Sequence, residues 1–347
     1  MSLSLLHSPR ALAALVLASL LSGCSIHGAY TDASAPDAAK LRFISNTSNT
    51  TLDIYDAQHC TGQNTGMLNN FLVVDTKRRA DMLVPPPAKA RGMLEVKLAP
   101  GKETMLAINT NGGSYICGKT FSFTPKAGEE YEVTFDMAGG RCSTLFQRLT
   151  QFNGKDVRIP QPVFDTGFPV CQGQSPIFAK PLPDTAQRTV LIDRILAENA
   201  QAITTLDPPK ADSSMFSPEK IDALIAKRKA SMGTVTLPEE YWTQYRQNLK
   251  LFHDEAAGRQ ARALGMFTDV YRLRLRSTND IMLQQWLQPT DNAVRQMITA
   301  SDEYMLRYYM NTNKSVALDI LNHHIERMAQ LDQRFDVCAR FDDCWHY

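Results

Sequence analysis

Cysteine, histidine and clustered aromatic side chains carry most of the chemical potential of this chain. Cys24 stands alone near the N-terminus, directly after Ser22 and Gly23. Six further cysteines follow: Cys60, Cys117, Cys142, Cys171, Cys338 and Cys344. An even set of thiols in an exported chain reads as up to three disulfides. Sequence leaves their pairing open, and chain order favours Cys60–Cys117 and Cys142–Cys171 beside the first domain, with Cys338–Cys344 closing the C-terminus. No C-x-x-C occurs and no histidine sits at zinc spacing from a cysteine, so neither a metal nor another cofactor is expected. Three weaker constellations remain. In His323-His324-x-Glu326, adjacent histidines point to different faces of a helix and cannot easily share one ion. His324 is expected as a hydrogen-bonded core histidine, with Glu326 facing away from it. His253-Asp254-Glu255 has the types for a general base, and a solvated helix face explains it equally. Tyr241, Trp242 and Tyr245, with Trp286, Tyr304, Tyr308 and Tyr309, suit a groove for sugars, peptides or lipid tails, although helical spacing also fits a packed core. No G-x-S-x-G elbow, H-E-x-x-H helix, phosphate-binding loop or dinucleotide fingerprint appears, so no catalytic residue is assigned and a non-enzyme is expected.

What precedes Cys24 gives that thiol its meaning. Arg10 is the one fixed charge of the lead-in, and Ala11–Leu21 is an apolar run holding a single serine, Ser19. Basic lead-in, short apolar core and small residues at the cut make an export signal. The run is too short to span a bilayer as a helix, which takes about 20 apolar residues. This stretch resembles the type II signal peptide of bacterial lipoproteins, with Leu21-Ser22-Gly23-Cys24 as the lipobox. The resemblance implies cleavage before Cys24 and a diacylglycerol on its sulfur, because only a thiol gives the thioether. It also implies an acylated amine, with palmitate-type chains. Ser25, in place of Asp, implies the outer membrane under enteric sorting rules. A second run, Cys117…Phe121-x-Phe123-x-Pro125-x-x-Gly128-x-x-Tyr131-Glu132-Val133…Cys142, resembles a pattern in uncharacterised proteobacterial lipoproteins. It implies a turn between two strands and no activity.

The elements that must carry these residues fall into two halves with different periods. Residues 1–23 are the signal peptide. Residues 24–40, rich in Ala, Ser, Asp and Gly, read as a flexible tether. Over 41–149 short β-forming segments alternate with turns, predicting a small antiparallel sandwich. Within it Gly92–Leu98, Pro100-Gly101 and Thr104–Ile108 read as a hairpin. Residues 150–183 form a Pro-rich linker. Over 184–347 the period becomes helical. Ser217-Pro218-Glu219 starts one helix, and Thr236-x-x-Glu239 reads as a capping box for another. Leu321, Met328 and Phe335, each followed three residues later by His324, Leu331 and Cys338, predict a seam against neighbouring helices. The fold class is therefore α+β, an N-terminal antiparallel β-sandwich followed by a C-terminal bundle of helices.

Basic and acidic side chains balance almost completely, 37 against 36. No single-sign field exists to draw in nucleic acid. Lys77-Arg78-Arg79 and Arg272-Leu273-Arg274-Leu275-Arg276 are local basic spots that read as solvated faces. The expected protein is lipid-anchored in the cell envelope and faces the periplasm, probing a membrane through its anchor and an envelope protein through its body. The rival expectations are an immunity or inhibitor lipoprotein against a periplasmic toxin, and an envelope hydrolase assembled from distant residues.

Overall fold

A computed structural model describes residues 28–208 and 217–346. The leader, Cys24 and the lipobox lie outside them. The N-terminal half holds two sheets of mostly antiparallel strands, and the C-terminal half is helical. The first sheet has the order β4-β1-β7-β8-β9, from β4 (Gly92–Leu98), β1 (Ala39–Ser45), β7 (Glu130–Ala138), β8 (Arg141–Phe152) and β9 (Lys155–Pro160). The second has the order β3-β2-β5-β6, from β3 (Gln63–Leu68), β2 (Thr50–Tyr55), β5 (Thr104–Asn111) and β6 (Ile116–Phe123). One pair, β1 with β7, is parallel. Alternation places Leu41, Phe43, Leu52, Ile54, Leu106, Phe121, Val133 and Phe135 between the sheets, all buried.

The expected β4–β5 hairpin does not form. β4 pairs with β1 and β5 with β2, so the turn at Pro100-Gly101 carries the chain from one sheet to the other. Proline supplies no donor for a ladder there, and Gly101 N instead donates to Pro125 O at 2.8 Å. True two-residue hairpins occur where two successive residues take positive φ. Gly139 and Gly140 (58° and 73°) join β7 to β8, and Asn153 and Gly154 (49° and 73°) join β8 to β9. β9 therefore occupies the start of the expected linker.

The expected tether also departs from the structure from Gly28 onward. Tyr30 N donates to Asn64 O at 2.9 Å, and the Tyr30 hydroxyl donates to Lys97 O at 2.8 Å. Asp32 accepts from Arg78 Nη2 and Lys97 N, both at 2.9 Å. The small residues that suggested flexibility instead let the segment lie close against β3 and β4.

Among the described residues there are six α-helices: α1 (Ala186–Leu206), α2 (Pro218–Ser231), α3 (Glu239–Ala257), α4 (Arg259–Arg276), α5 (Asp280–Leu287) and α6 (Asn292–Arg334). Side-chain caps hold three starts, with Thr185, Asn279 and Asp291 accepting from Arg188 N, Met282 N and Val294 N. The capping box at Thr236 is not used. The helix begins at Glu239 behind Pro238, because a residue before proline is pushed out of the helical region and Leu237 cannot be its first turn. α6 is the spine, 43 residues long and thus about 65 Å. Its buried residues include Met305, Tyr309, Thr312, Val316, Ile320, His324 and Met328, spaced mainly by four. Leu321 lies off this stripe and is exposed, so the seam runs through Ile320 rather than Leu321. The first half of α6 packs with α1, α4 and α5, and the second with α2, α3 and the C-terminal tail.

Candidate functional site

The six downstream cysteines form three disulfides, Cys60–Cys171, Cys117–Cys142 and Cys338–Cys344. The last pair is as expected, and the first two exchange the expected partners. Cys117 on β6 and Cys142 on β8 belong to different sheets and face each other across the sandwich. Cys60 lies in the loop after β2, where it meets Cys171 beneath Phe168 and Phe178 on the outer face of the second sheet. Chain order hid this because the Pro-rich segment folds back over the second sheet, bridging Ser122 at Phe164 and reaching Cys60 at Cys171.

The expected aromatic groove is instead a core. Tyr241, Trp242 and Tyr245 on α3 are 0, 7 and 6% exposed. The Tyr241 hydroxyl donates to Asp332 at 2.7 Å, and Asp332 also accepts from Arg228 Nη2 at 2.9 Å and Trp345 N at 2.7 Å. Burial and the bond to that carboxylate push the Tyr241 phenol far above its ordinary value. This buried carboxylate thus clasps α2, α3, α6 and the tail together. The remaining aromatics separate. Trp286 and Tyr271 donate to Asp302, Tyr308 donates to Asp165 O at 2.7 Å, and Tyr309 donates to Asp207 at 2.8 Å.

The acids of His253-Asp254-Glu255 are engaged elsewhere. Asp254 pairs with Lys250 at 2.7 Å, and Glu255 takes both Arg327 nitrogens at 3.0 and 2.8 Å. The two adjacent histidines of α6 do part company. His324 is buried, stacked on Phe252 at 4.4 Å and edge-on to Trp345 at 5.7 Å. As expected it is a core histidine with a hydrogen bond, made to the Asn248 backbone, while its Nδ1 has no hydrogen-bond partner among the described residues.

His323 and Glu326 face the opposite way, into a cleft of about 340 Å³ where α6 passes the sandwich. Phe123, Tyr131 and Phe146 stand at its base, with ring centroids 4.8–5.7 Å apart. The rim is charged and largely paired. Arg148 Nη1 meets Glu129 at 2.8 Å, Tyr131 donates to Glu129 at 2.7 Å, and Lys126 Nζ lies 3.6 Å from Glu326. His323 Nδ1 lies 3.7 Å from Asp319, and Arg262 reaches the same carboxylate oxygen at 2.7 Å. That first distance exceeds a hydrogen bond, and no hydroxyl or thiol joins His323 among the described contacts. The linker builds the cleft wall: Val163 and Ser315 exchange bonds at 3.3 and 2.8 Å, and Asn322 donates to Pro160 O at 2.8 Å. An apolar base under a rim of both signs suits burial of a mixed apolar and polar group. The divergence of His323 from His324, with Glu326 facing away from His324, was legible in the helical spacing. Lys126, Glu129, Tyr131 and Arg148 carried no such signal, because strand pairing brings them there from far away.

No group of three or more metal-ligating side chains occurs among the described residues, and no described helix is long and apolar enough to cross a membrane. No protein-family model and no curated protein matches the chain.

Proposed function

We propose that this chain is a lipid-anchored protein of the cell envelope, held at the outer membrane through Cys24. Its periplasm-facing body has a non-enzymatic role, binding or supporting an envelope protein partner. One observation carries the reading. The chain has seven cysteines, and six close on one another in three disulfides. The six described cysteines thus satisfy one another, and Cys24 stands apart from them at the position where the leader pattern calls for acylation. Three disulfides, two on the sandwich and one at the C-terminus, also suit an oxidising compartment. The cleft beside α6 supports the binding role, since most of its charges are spent on one another and the partly exposed Phe123 offers an apolar contact to a partner.

Two measurements test this. Cells expressing Cys24→Ser should lose the protein from the membrane fraction, whereas wild type stays there until detergent is added. A photo-crosslinker at Glu326 should capture an envelope protein, and the same group at exposed Leu206 should not. Wild type recovered free of membrane, or identical capture from both positions, would count against the reading.

A further inference from the structure

Between β3 and β4 the chain leaves the sheet for a long excursion. Four consecutive apolar residues at its tip, Phe71, Leu72, Val73 and Val74, are 77, 93, 39 and 69% exposed. Polar side chains hold this tip outward. Asn70 Oδ1 accepts from Leu72 N at 2.7 Å and Val73 N at 2.9 Å, and Asp75 Oδ1 accepts from Asn69 N at 2.6 Å. Thr76 fastens the return: its N–H donates to Met67 O and its hydroxyl accepts from Met67 N, both at 3.0 Å. A contiguous apolar patch of this kind, rimmed by polar groups, marks a contact surface.

Beside the tip, Lys77, Arg79 and Arg91 line one shallow cleft with Asp75. All three cations are exposed, and none is ion-paired to a carboxylate among the described residues. The same edge receives the N-terminal segment. A Cβ on Gly28 would stand 2.2 Å from Asn64 O and 2.6 Å from Gly66 N, and one on Gly66 would stand 2.3 Å from Thr76 Oγ1. Gly28, Gly66 and Thr76 are thus stacked in contact, and Thr76 is the foot of the apolar loop. From Gly28 back to Cys24 is four residue steps, at most about 14 Å of extended chain.

We propose that Phe71–Val74 is a second membrane contact: the tip enters a phospholipid bilayer while Lys77, Arg79 and Arg91 hold anionic headgroups. Arg79 Nη1 donates to Arg78 O at 2.6 Å and Met93 O at 3.2 Å, which holds it at this edge. Apolar side chains flanked by cations with no carboxylate partner fit the boundary between headgroups and acyl chains. This deepens the anchored reading and rests on it for orientation, since acyl chains on Cys24 would bring this edge of the second sheet to the bilayer. The body would then stand against the membrane, with the α6 cleft on another face.

The test uses the full chain with Phe71→Trp in vesicles of phosphatidylethanolamine and phosphatidylglycerol with brominated acyl chains. The native tryptophans, Trp242, Trp286 and Trp345, lie in the helical half, so the difference from wild type reads position 71 alone. The added emission should shift to the blue and be quenched. In a Cys24→Ser background, each of Lys77→Glu, Arg79→Glu and Arg91→Glu should weaken partitioning about fivefold. Vesicles of phosphatidylcholine alone should bind that background more weakly. Added emission that stays unshifted and unquenched while the chain floats with vesicles overturns the proposal and leaves the anchor standing. Quenching by a chain found to carry no acyl group supports the loop and removes the anchor.

Discussion

Arg42 shows how a charged side chain can serve as core. Its neighbours Leu41 and Phe43 point between the sheets, so Arg42 points outward, yet it is 1% exposed. The strap of residues 78–85 covers it. Its Nε and Nη1 donate to Glu95 at 2.9 Å and Glu132 at 3.0 Å, and Nη2 donates to Val84 O at 2.7 Å. Arg158 supplies a second cation to Glu132 at 3.2 Å. Removing the central cation leaves buried Glu95 without a cation and Glu132 with Arg158 alone, so Arg42→Met should cost about 3–5 kcal/mol in urea unfolding. Adding Glu95→Gln and Glu132→Gln to it should recover part of that loss. His324 makes a second prediction at this scale. Burial, aided by the Arg327 guanidinium, pulls it from 6.5 down to about 4, against the opposing pull of Glu255. Between those values the unfolded chain takes a proton that the folded chain refuses. Stability therefore rises with pH across the window and is lost as pH falls from about 6.5 toward 4. His324→Gln should remove up to about 3 kcal/mol of that slope, read as melting temperature against pH beside wild type. Parallel curves for the two proteins would show that His324 does not titrate with unfolding.

At the scale of elements, the disulfides rank by the loops they close. Cys60–Cys171 spans 111 residues and Cys338–Cys344 spans 6. Loop entropy makes loss of the first about 2.5 kcal/mol more costly than loss of the second, comparing Cys60→Ser/Cys171→Ser with Cys338→Ser/Cys344→Ser in urea. The docked N-terminal segment gives another prediction. Gly28→Ala places a methyl group against Asn64 O at a positive φ, so it should release Tyr30 and speed amide exchange in β3 with little change in the helices. The same elements show what could be read from residues alone. Strand alternation and helical period were legible because each is local, and they suffice for a sandwich followed by helices. Asn153-Gly154 was a legible hairpin signal that proline content nearby concealed. The pairing of β4 with β1, the partners of Cys60 and Cys117, and the cleft around His323 were not legible. Each depends on which sheet a strand joins, a long-range choice that local pattern does not carry.

For the whole molecule, α6 runs past both helical clusters and the sandwich, so the parts are positioned by one rod and by the Pro-rich segment that Phe164 pins against Arg262. Such a body presents its α6 cleft and its apolar loop on different surfaces, which suits a protein fixed on one side and engaged on another. All of this turns on the fate of the thiol at position 24. The direct measurement is mass spectrometry of the N-terminal peptide from protein extracted out of membranes. The account predicts a chain that begins at Cys24, with a diacylglyceryl group on sulfur and an acyl chain on the amine. A chain that retains Met1–Gly23, or one that begins elsewhere with an unmodified thiol, would contradict it.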